Sequence, residues 1–442
     1  MDEISIFDPE FDGRRLISKI SVPKELRKYV LSSSMFVHYD VDVSSEESIL
    51  NIPMLATVLP LAWLTGYDIH VGELDRAFKE SLDGLQQDFM KMFPEAHFGT
   101  RINADMIIEN ESKLKSEDRT GLLFSGGVDS TYSLLSNLDL KPKLIMYWGV
   151  EGYPYPKYTD YWEKVISTYS EFARRMGLTL HIIKTNPLEV LHHRRIEHDF
   201  HKQLYDGTLW GRLQHSLVLL PLTAPLSIGR FDQLLIASSA YPGASWIQVP
   251  TSRRPETDER ISWAHLQVRH DGAIPKSEKI MGHIAEFLRN DKLLLRVCLN
   301  RRHEQKELNC GYCLKCITTI IDLFLAGVDP SFCGFNFNNT ELEKMKSFFK
   351  NEKVSRGYID LWKEVQIKIP YGTKYDVLGF NKFLKWFKEY NLNSMEKNVW
   401  IYRDIYHKLP FTIAKVLNEV YEIMGIKIFE HTPVRPSPKH NN

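Results

Sequence analysis

From Gly121 to Leu135 the chain runs GLLFSGGVDSTYSLL, and this stretch limits the fold more than any other. Gly121 to Phe124 are apolar or glycine, as in a buried strand, and a helix-like apolar pattern follows the second serine. Between them Ser125, Gly126, Gly127, Val128, Asp129 and Ser130 must carry the chain from strand to helix. Two glycines permit a sharp turn and let backbone N–H groups come close to an anion. The helix that follows adds its unpaired N–H groups and the positive end of its dipole. The hydroxyls of Ser125 and Ser130 add donors. Such a loop suits a phosphate chain, and because Asp129 would repel phosphate by itself, a bridging Mg²⁺ is its natural companion. A Walker A loop needs a lysine that is missing here, and the Gly-x-Gly-x-x-Gly dinucleotide pattern is missing too. The plainer alternative is a serine–glycine turn that only caps a helix. The complete hexad, set between strand and helix, speaks against it.

Further strands and helices alternate downstream. KLIMYWGV (143–150) and LTLHIIKT (178–185) have the composition of buried strands. DYWEKVISTYSEFARRMG (160–177) is an amphipathic helix stopped by Gly177. A helix is expected over Leu209–Ile228 and a strand over Gln233–Ser239. Strands alternating with helices predict an α/β domain with a parallel, doubly wound sheet. Ligands on such sheets bind beyond the C-terminal strand ends, which is where the hexad lies.

The chain has 442 residues, enough for two or three domains. Residues 1–117 are expected to form an N-terminal α+β domain. MFVHYDVDV (35–43) gives strands, IPMLATVLPLAWLTG (52–66) gives a buried helix, and Leu74, Phe78, Leu82, Leu85, Phe89 and Met90 recur at helical spacing. NESKLKSEDRT (110–120) is charged and apolar-poor, as a linker should be. Residues 334–430 are helical, Lys-rich and aromatic, and FNKFLKWFKEY shows one apolar face at Phe380, Phe383, Leu384 and Phe387. The tail 431–442 is expected to be disordered. Basic and acidic residues balance at 56 each, so there is no global field for nucleic acid. The most apolar stretches, Ile52–Leu64 and Leu217–Ile228, are too short to span a bilayer and carry prolines. The acidic N-terminus has no signal-peptide layout, which predicts a cytoplasmic protein.

Of the five cysteines, Cys298, Cys310, Cys313, Cys316 and Cys333, four fall within a short window, and the first half of the chain has none. A disulfide framework would spread its pairs, whereas this clustering points to metal. Cys310, Cys313 and Cys316 form C-x2-C-x2-C, and with Cys298 they supply the four thiolates of a closed structural Zn²⁺ site. A redox pair and an iron–sulfur cluster are the alternatives. Cys333 fits a small buried apolar residue. A second polar run, HHRRIEHDFH (192–201), holds four histidines and two arginines without a recognised metal spacing. It is expected to be a polar helix or loop, with Arg194 or Arg195 available to an acidic ligand.

Ser-Gly-Gly-Val-Asp-Ser resembles the signature of the PP-loop ATP pyrophosphatases, which split ATP between the α- and β-phosphates and transfer AMP to a substrate oxygen. The loop, the distant cysteine, C-x2-C-x2-C and a helix ending LAGVDP together resemble 7-cyano-7-deazaguanine synthases, over about Gly121–Pro330. The resemblance implies a PP-loop/HUP-type Rossmann-like domain over 118–333 with a zinc knuckle at 298–316. It implies that Phe124, Ser125, Gly126, Gly127, Val128, Asp129, Ser130 and Thr131 hold ATP with Mg²⁺, and that Asp129, Ser130 and Lys276 (in IPKSEK) act on its phosphates. The substrates implied are a carboxylic acid of the deazaguanine type and an amine, either ammonia or a protein amine, as in longer relatives from bacterial defence systems. The usual substrate loop is altered. SSAYPGASWIQVPTSRRPETDERISW stands in its place, with Tyr241, Arg254, Thr257 and Asp258, and less clearly Ser262, as pocket candidates. A nucleotide-binding scaffold without catalysis and a tRNA-thiolating enzyme are the competing readings. A homodimer would be in keeping with long PP-loop enzymes.

Overall fold

Among the described residues eleven strands join in one sheet. The computed structural model describes residues 3–94, 96, 98–111, 114, 117–150, 154–242, 250–298, 307–336, 339–354, 356–369, 379–396 and 400–423. In chain order the strands are β1 (Ile4–Ile6), β2 (Glu10–Phe11), β3 (Arg15–Ser21), β4 (Ser34–Tyr39), β5 (Ile69–Asp75), β6 (Ile102–Ile108), β7 (Thr120–Leu123), β8 (Lys143–Trp148), β9 (Leu180–Thr185), β10 (Gln233–Ala237) and β11 (Gln267–Asp271). The described residues divide into two compact units, one up to Pro275 and one from Lys276 on. The whole sheet belongs to the first.

The sheet order is β11-β10-β7-β8-β9-β4-β3-β1-β5-β6, with β2 added to β3. The boundary expected after residue 117 does not interrupt it. β4 pairs antiparallel with β9 in the register Val37↔Thr185, His38↔Lys184 and Tyr39↔Ile183. Side chains reinforce this join: Asn186 Oδ1 accepts the Phe36 N–H at 2.9 Å, and Thr185 Oγ1 donates to the Phe36 carbonyl at 2.7 Å. Strand pairing between distant segments satisfies backbone groups that composition cannot assign.

Helix α1 (Ile52–Thr65) is buried from Ile52 to Leu64, as expected of a helix apolar on every side. Each large side chain so buried contributes about 1.5–3 kcal/mol. Helix α2 (Arg76–Met92) buries Phe78, Leu82, Leu85 and Phe89. Leu74, expected on that helix, instead lies in β5, because Asp75 caps α2 by accepting the Phe78 N–H at 2.8 Å.

Strands β7 to β11 are all parallel to their neighbours in the order β9-β8-β7-β10-β11. Numbered along the chain this is 3-2-1-4-5, a doubly wound order that reverses between β7 and β10. Helices α3 (Val128–Ser136) and α4 (Thr159–Arg175) share one face: Trp148 stacks on Trp162 of α4 at 5.7 Å, and Asn137, just past α3, reaches Asp271 of β11 at 3.3 Å. Side chains alternate along a strand, so Tyr147 and His270 lie on the other face. There Tyr147 donates to the Leu219 carbonyl at 2.5 Å. The helix expected over Leu209–Ile228 is broken into His215–Leu219, Pro221–Thr223 and Ala224–Ser227, with a wider turn over Trp210–Gln214. Pro221 and Pro225 cannot donate to the preceding turn.

The second unit is helical. It includes α5 (Leu314–Leu325), α6 (Arg356–Lys368) and α7 (Phe380–Glu389). Phe380, Phe383, Leu384 and Phe387 are buried, as their spacing predicts. Phe349 packs on Trp362 at 4.7 Å and on Phe387 at 5.0 Å. The tail 431–442 lies outside the described residues. Among the described residues no helix is long and apolar enough to cross a membrane.

Candidate functional site

Between β7 and α3 the chain has Phe124, Ser125, Gly126 and Gly127 in which to turn. Phe124 stays in the ladder, its N–H on the Ile145 carbonyl at 2.8 Å. Gly126 then takes a left-handed conformation, φ +76°, and a Cβ there would overlap the ring of Tyr169 on α4. Tyr169 donates its hydroxyl to the Gly126 carbonyl at 3.3 Å. Only glycine meets both demands. The two serines close the loop on itself. The Ser125 N–H donates to Ser130 Oγ at 3.2 Å, the two hydroxyls lie 3.1 Å apart, and the Gly127 N–H donates to Ser125 Oγ at 3.3 Å. Gly127 is the N-cap of α3, and no side chain caps that helix. Its first turn therefore has N–H groups and a dipole end to offer an anion. Asp129 is half-buried in this turn, while the side chains of Phe124, Val128, Ser130 and Thr131 are buried. What Phe124, Val128 and Thr131 offer a ligand is therefore backbone.

This loop sits where the strand order reverses, the place at which open α/β sheets bind ligands. The crossover after β10 starts from the strand beside β7. Tyr241 is half-buried just past β10, and Gly243–Val249 lie outside the described residues. Arg254, half-buried, begins the short helix Pro255–Asp258, in which Thr257 and Asp258 are buried. Ser262 donates to the Leu266 carbonyl at 2.8 Å and so serves the chain's own turn.

Asp258 is the centre of a cluster that the sequence did not reveal. Its carboxylate is 2.5 Å from Nδ1 of His270 on β11, and the Ser216 hydroxyl donates to its other oxygen. Ser216 Oγ is also 2.6 Å from the Ser252 carbonyl. Burial raises the Asp258 pKa, against the pull of the His270 hydrogen bond. Burial holds His215, which directly precedes Ser216, in its neutral form, and the nearby Arg253 and His270 act in the same direction. Among the described residues, His270 Nε2, Thr257 Oγ1 and Ser252 Oγ are buried without a hydrogen-bond partner. Only Asp258 and Thr257 of this group were sequence candidates. His270 lies in a strand that has little apolar character, and Ser216 comes from the interrupted helical stretch.

The histidine-rich run serves structure. His193–Asp199 is a helix, and Asp199 accepts from the Tyr29 hydroxyl at 2.9 Å, from Arg195 Nε at 2.8 Å and from His198 Nδ1 at 2.8 Å. His193 is half-buried with its Nε2 out of solvent, and that desolvation lowers its pKa to about 4. His201 Nδ1 pairs with Asp206 at 3.1 Å. His198 and His201 thus take separate acidic partners.

In the second unit the sulfurs of Cys298, Cys310, Cys313 and Cys316 lie within 4.8 Å of one another, and none forms a disulfide. Cys298 and Cys313 are 3.9 Å apart, Cys310 and Cys316 4.0 Å. Four sulfurs at about 2.3 Å from a tetrahedral ion would be about 3.8 Å apart, so the set can hold a metal such as zinc. The Cys313 N–H donates to Cys310 Sγ at 3.2 Å, the knuckle bond that brings the pair together, and Cys313 stands at the N-terminal end of α5 without a side-chain capping bond. Cys333 is buried apart from these four, with its pKa raised to about 12 by burial. Lys276 begins the short helix Lys276–Lys279 of this unit and lies close enough to the buried Asp322 of α5 to act on its charge.

No protein-family model, curated protein or solved structure matches the chain.

Proposed function

We propose that this chain is a PP-loop ATP pyrophosphatase, similar to 7-cyano-7-deazaguanine synthases, that adenylates a carboxylic acid and hands the acyl group to an amine. The observation that carries the reading is the Ser125–Ser130 loop. A left-handed glycine, two mutually bonded serines and a helix end without a side-chain cap stand together at the reversal point of the sheet. A helix that merely needed a cap would be capped by its own serine. Here the serines bond within the loop, and the helix end is left for an anion.

In this reading the loop receives the β- and γ-phosphates of ATP, and the acid's carboxylate attacks the α-phosphorus with departure of pyrophosphate. Backbone N–H groups of the loop and the α3 dipole stabilise the charge that builds on the leaving group. Asp129 is the residue that would hold Mg²⁺, which when bound neutralises phosphate charge. No side chain serves as a covalent nucleophile, so rate comes from positioning and charge stabilisation. The acid is of the deazaguanine type, and the amine is ammonia or a protein amine. The cysteine set holds structural zinc in this account. Asp129→Ala tests the reading. AMP formation should fall at least about 100-fold with the melting temperature unchanged. Turnover within a few-fold of wild type would remove Asp129 from the mechanism.

A further inference from the structure

We propose that His270 is the base that takes the proton from the attacking amine, with Asp258 as its positioning residue. This rests on the adenylation reading above. The Asp258 carboxylate lies 2.5 Å from Nδ1 of His270, which fixes the proton on that nitrogen and leaves Nε2 with its lone pair. The His270 side chain is 4 % exposed, and its Nε2 has no partner among the described residues. A buried polar atom left unpaired costs about 1–3 kcal/mol, so an unpaired one calls for a ligand or a chemical role. Ser216 holds the carboxylate from the other side, and the His270 backbone N–H donates to Glu259 Oε1 at 3.0 Å. The ring therefore has little freedom to turn.

The sheet puts this imidazole near the phosphate loop. His270 is level with Ile236 of β10, and Leu235 is level with Leu122 of β7. His270 is thus level with Leu123, two strands away, or about 10 Å at the usual strand spacing. Its side chain lies on the face opposite α3, buried beneath the end of β11. In the step proposed, the amine lone pair attacks the acyl carbon, the carbon–nitrogen bond forms, and the carbon–oxygen bond to phosphate breaks. AMP leaves with that electron pair, and the surplus proton on nitrogen passes to Nε2 of His270.

Separating the two half-reactions tests this. ATP–pyrophosphate exchange with a 7-deazaguanine carboxylic acid reports the adenylate alone, and amide formation from ammonia reports the second half. In His270→Gln, exchange should stay within about twofold of wild type while amide formation falls about 100-fold or more. Hydroxylamine, a nucleophile that needs little help from a base, should still be acylated at near the wild-type rate. Asp258→Asn should lower the ammonia rate in the same way and shift the His270 tautomer, read by nitrogen NMR of histidine-labelled protein. Unchanged amide formation beside intact exchange overturns the role of His270 alone. Absence of exchange in the wild-type chain overturns the adenylation reading, and His270's role with it. If the variants fail to fold, the wild-type spectrum still decides: a proton found on Nε2 at neutral pH contradicts the proposal.

Discussion

The loop at Ser125–Ser130 and the cysteine set at 298, 310, 313 and 316 both gather polar groups at the start of a helix, but they are held in opposite ways. The loop is held by bonds within itself and by Tyr169, so its shape exists before any ligand arrives. The cysteines bring four like groups within 4.8 Å, and thiolates at that distance repel one another unless a cation lies between them. The loop's geometry is thus backbone chemistry set by the sheet, and the knuckle's is side-chain chemistry suited to an ion. Damage to the first should be local and graded, and damage to the second should spread.

The largest effect expected is at the knuckle. Zinc analysis should find about one ion per chain, and Cys313→Ser or chelation should release it and deprotect the amides of α5 in hydrogen exchange. Structural zinc contributes apparent energies on the order of 10 kcal/mol, so protection should be lost outright. Metal-free protein with α5 still protected would put the cysteines on the same footing as the loop.

The same helix carries Asp322, whose burial raises its pKa to about 7, with Lys276 and Lys368 pulling it back down. The folded state therefore keeps a proton that the unfolded chain has already lost above about pH 4. Stability should fall as pH rises from about 4 to 7, by about 4 kcal/mol, and stay low above that. Asp322→Asn should flatten this fall in urea titrations across the range. A slope that persists in the variant assigns it to other groups.

At the loop, Gly126→Ala should cost about 2–4 kcal/mol, combining a left-handed residue with a side chain driven into Tyr169. Denaturant midpoints would show it, and a cost below about 0.5 kcal/mol would mean the loop is not bound to this shape. Tyr169→Phe removes the bond to the Gly126 carbonyl, worth about 1 kcal/mol, and should raise the KM for Mg-ATP with little change in kcat. Equal loss of both would give Tyr169 more than a supporting role.

The contrast also marks what was legible in the sequence. The loop, β7 to β10 and the cysteine set are local patterns, and local patterns survive in one dimension. The join of β4 to β9 is not local, so the expected boundary at 117 hid one continuous sheet. β11 was missed because Gln267, Arg269, His270 and Asp271 are polar and Val268 is its single apolar residue. With that strand went His270. Asp258 was visible as a candidate, but its partners Ser216 and His270 come from separate elements, and only the fold brings them together. The breaks at Pro221 and Pro225 were written in the sequence, and a stricter weight on proline would have found them.

Phosphorus NMR of Mg-ATP incubated with the full chain, a 7-deazaguanine carboxylic acid and ammonia tests the central claim most directly. The account predicts AMP and pyrophosphate in equal amounts, formed only when the acid is present. ADP with inorganic phosphate, or ATP left intact, would contradict it.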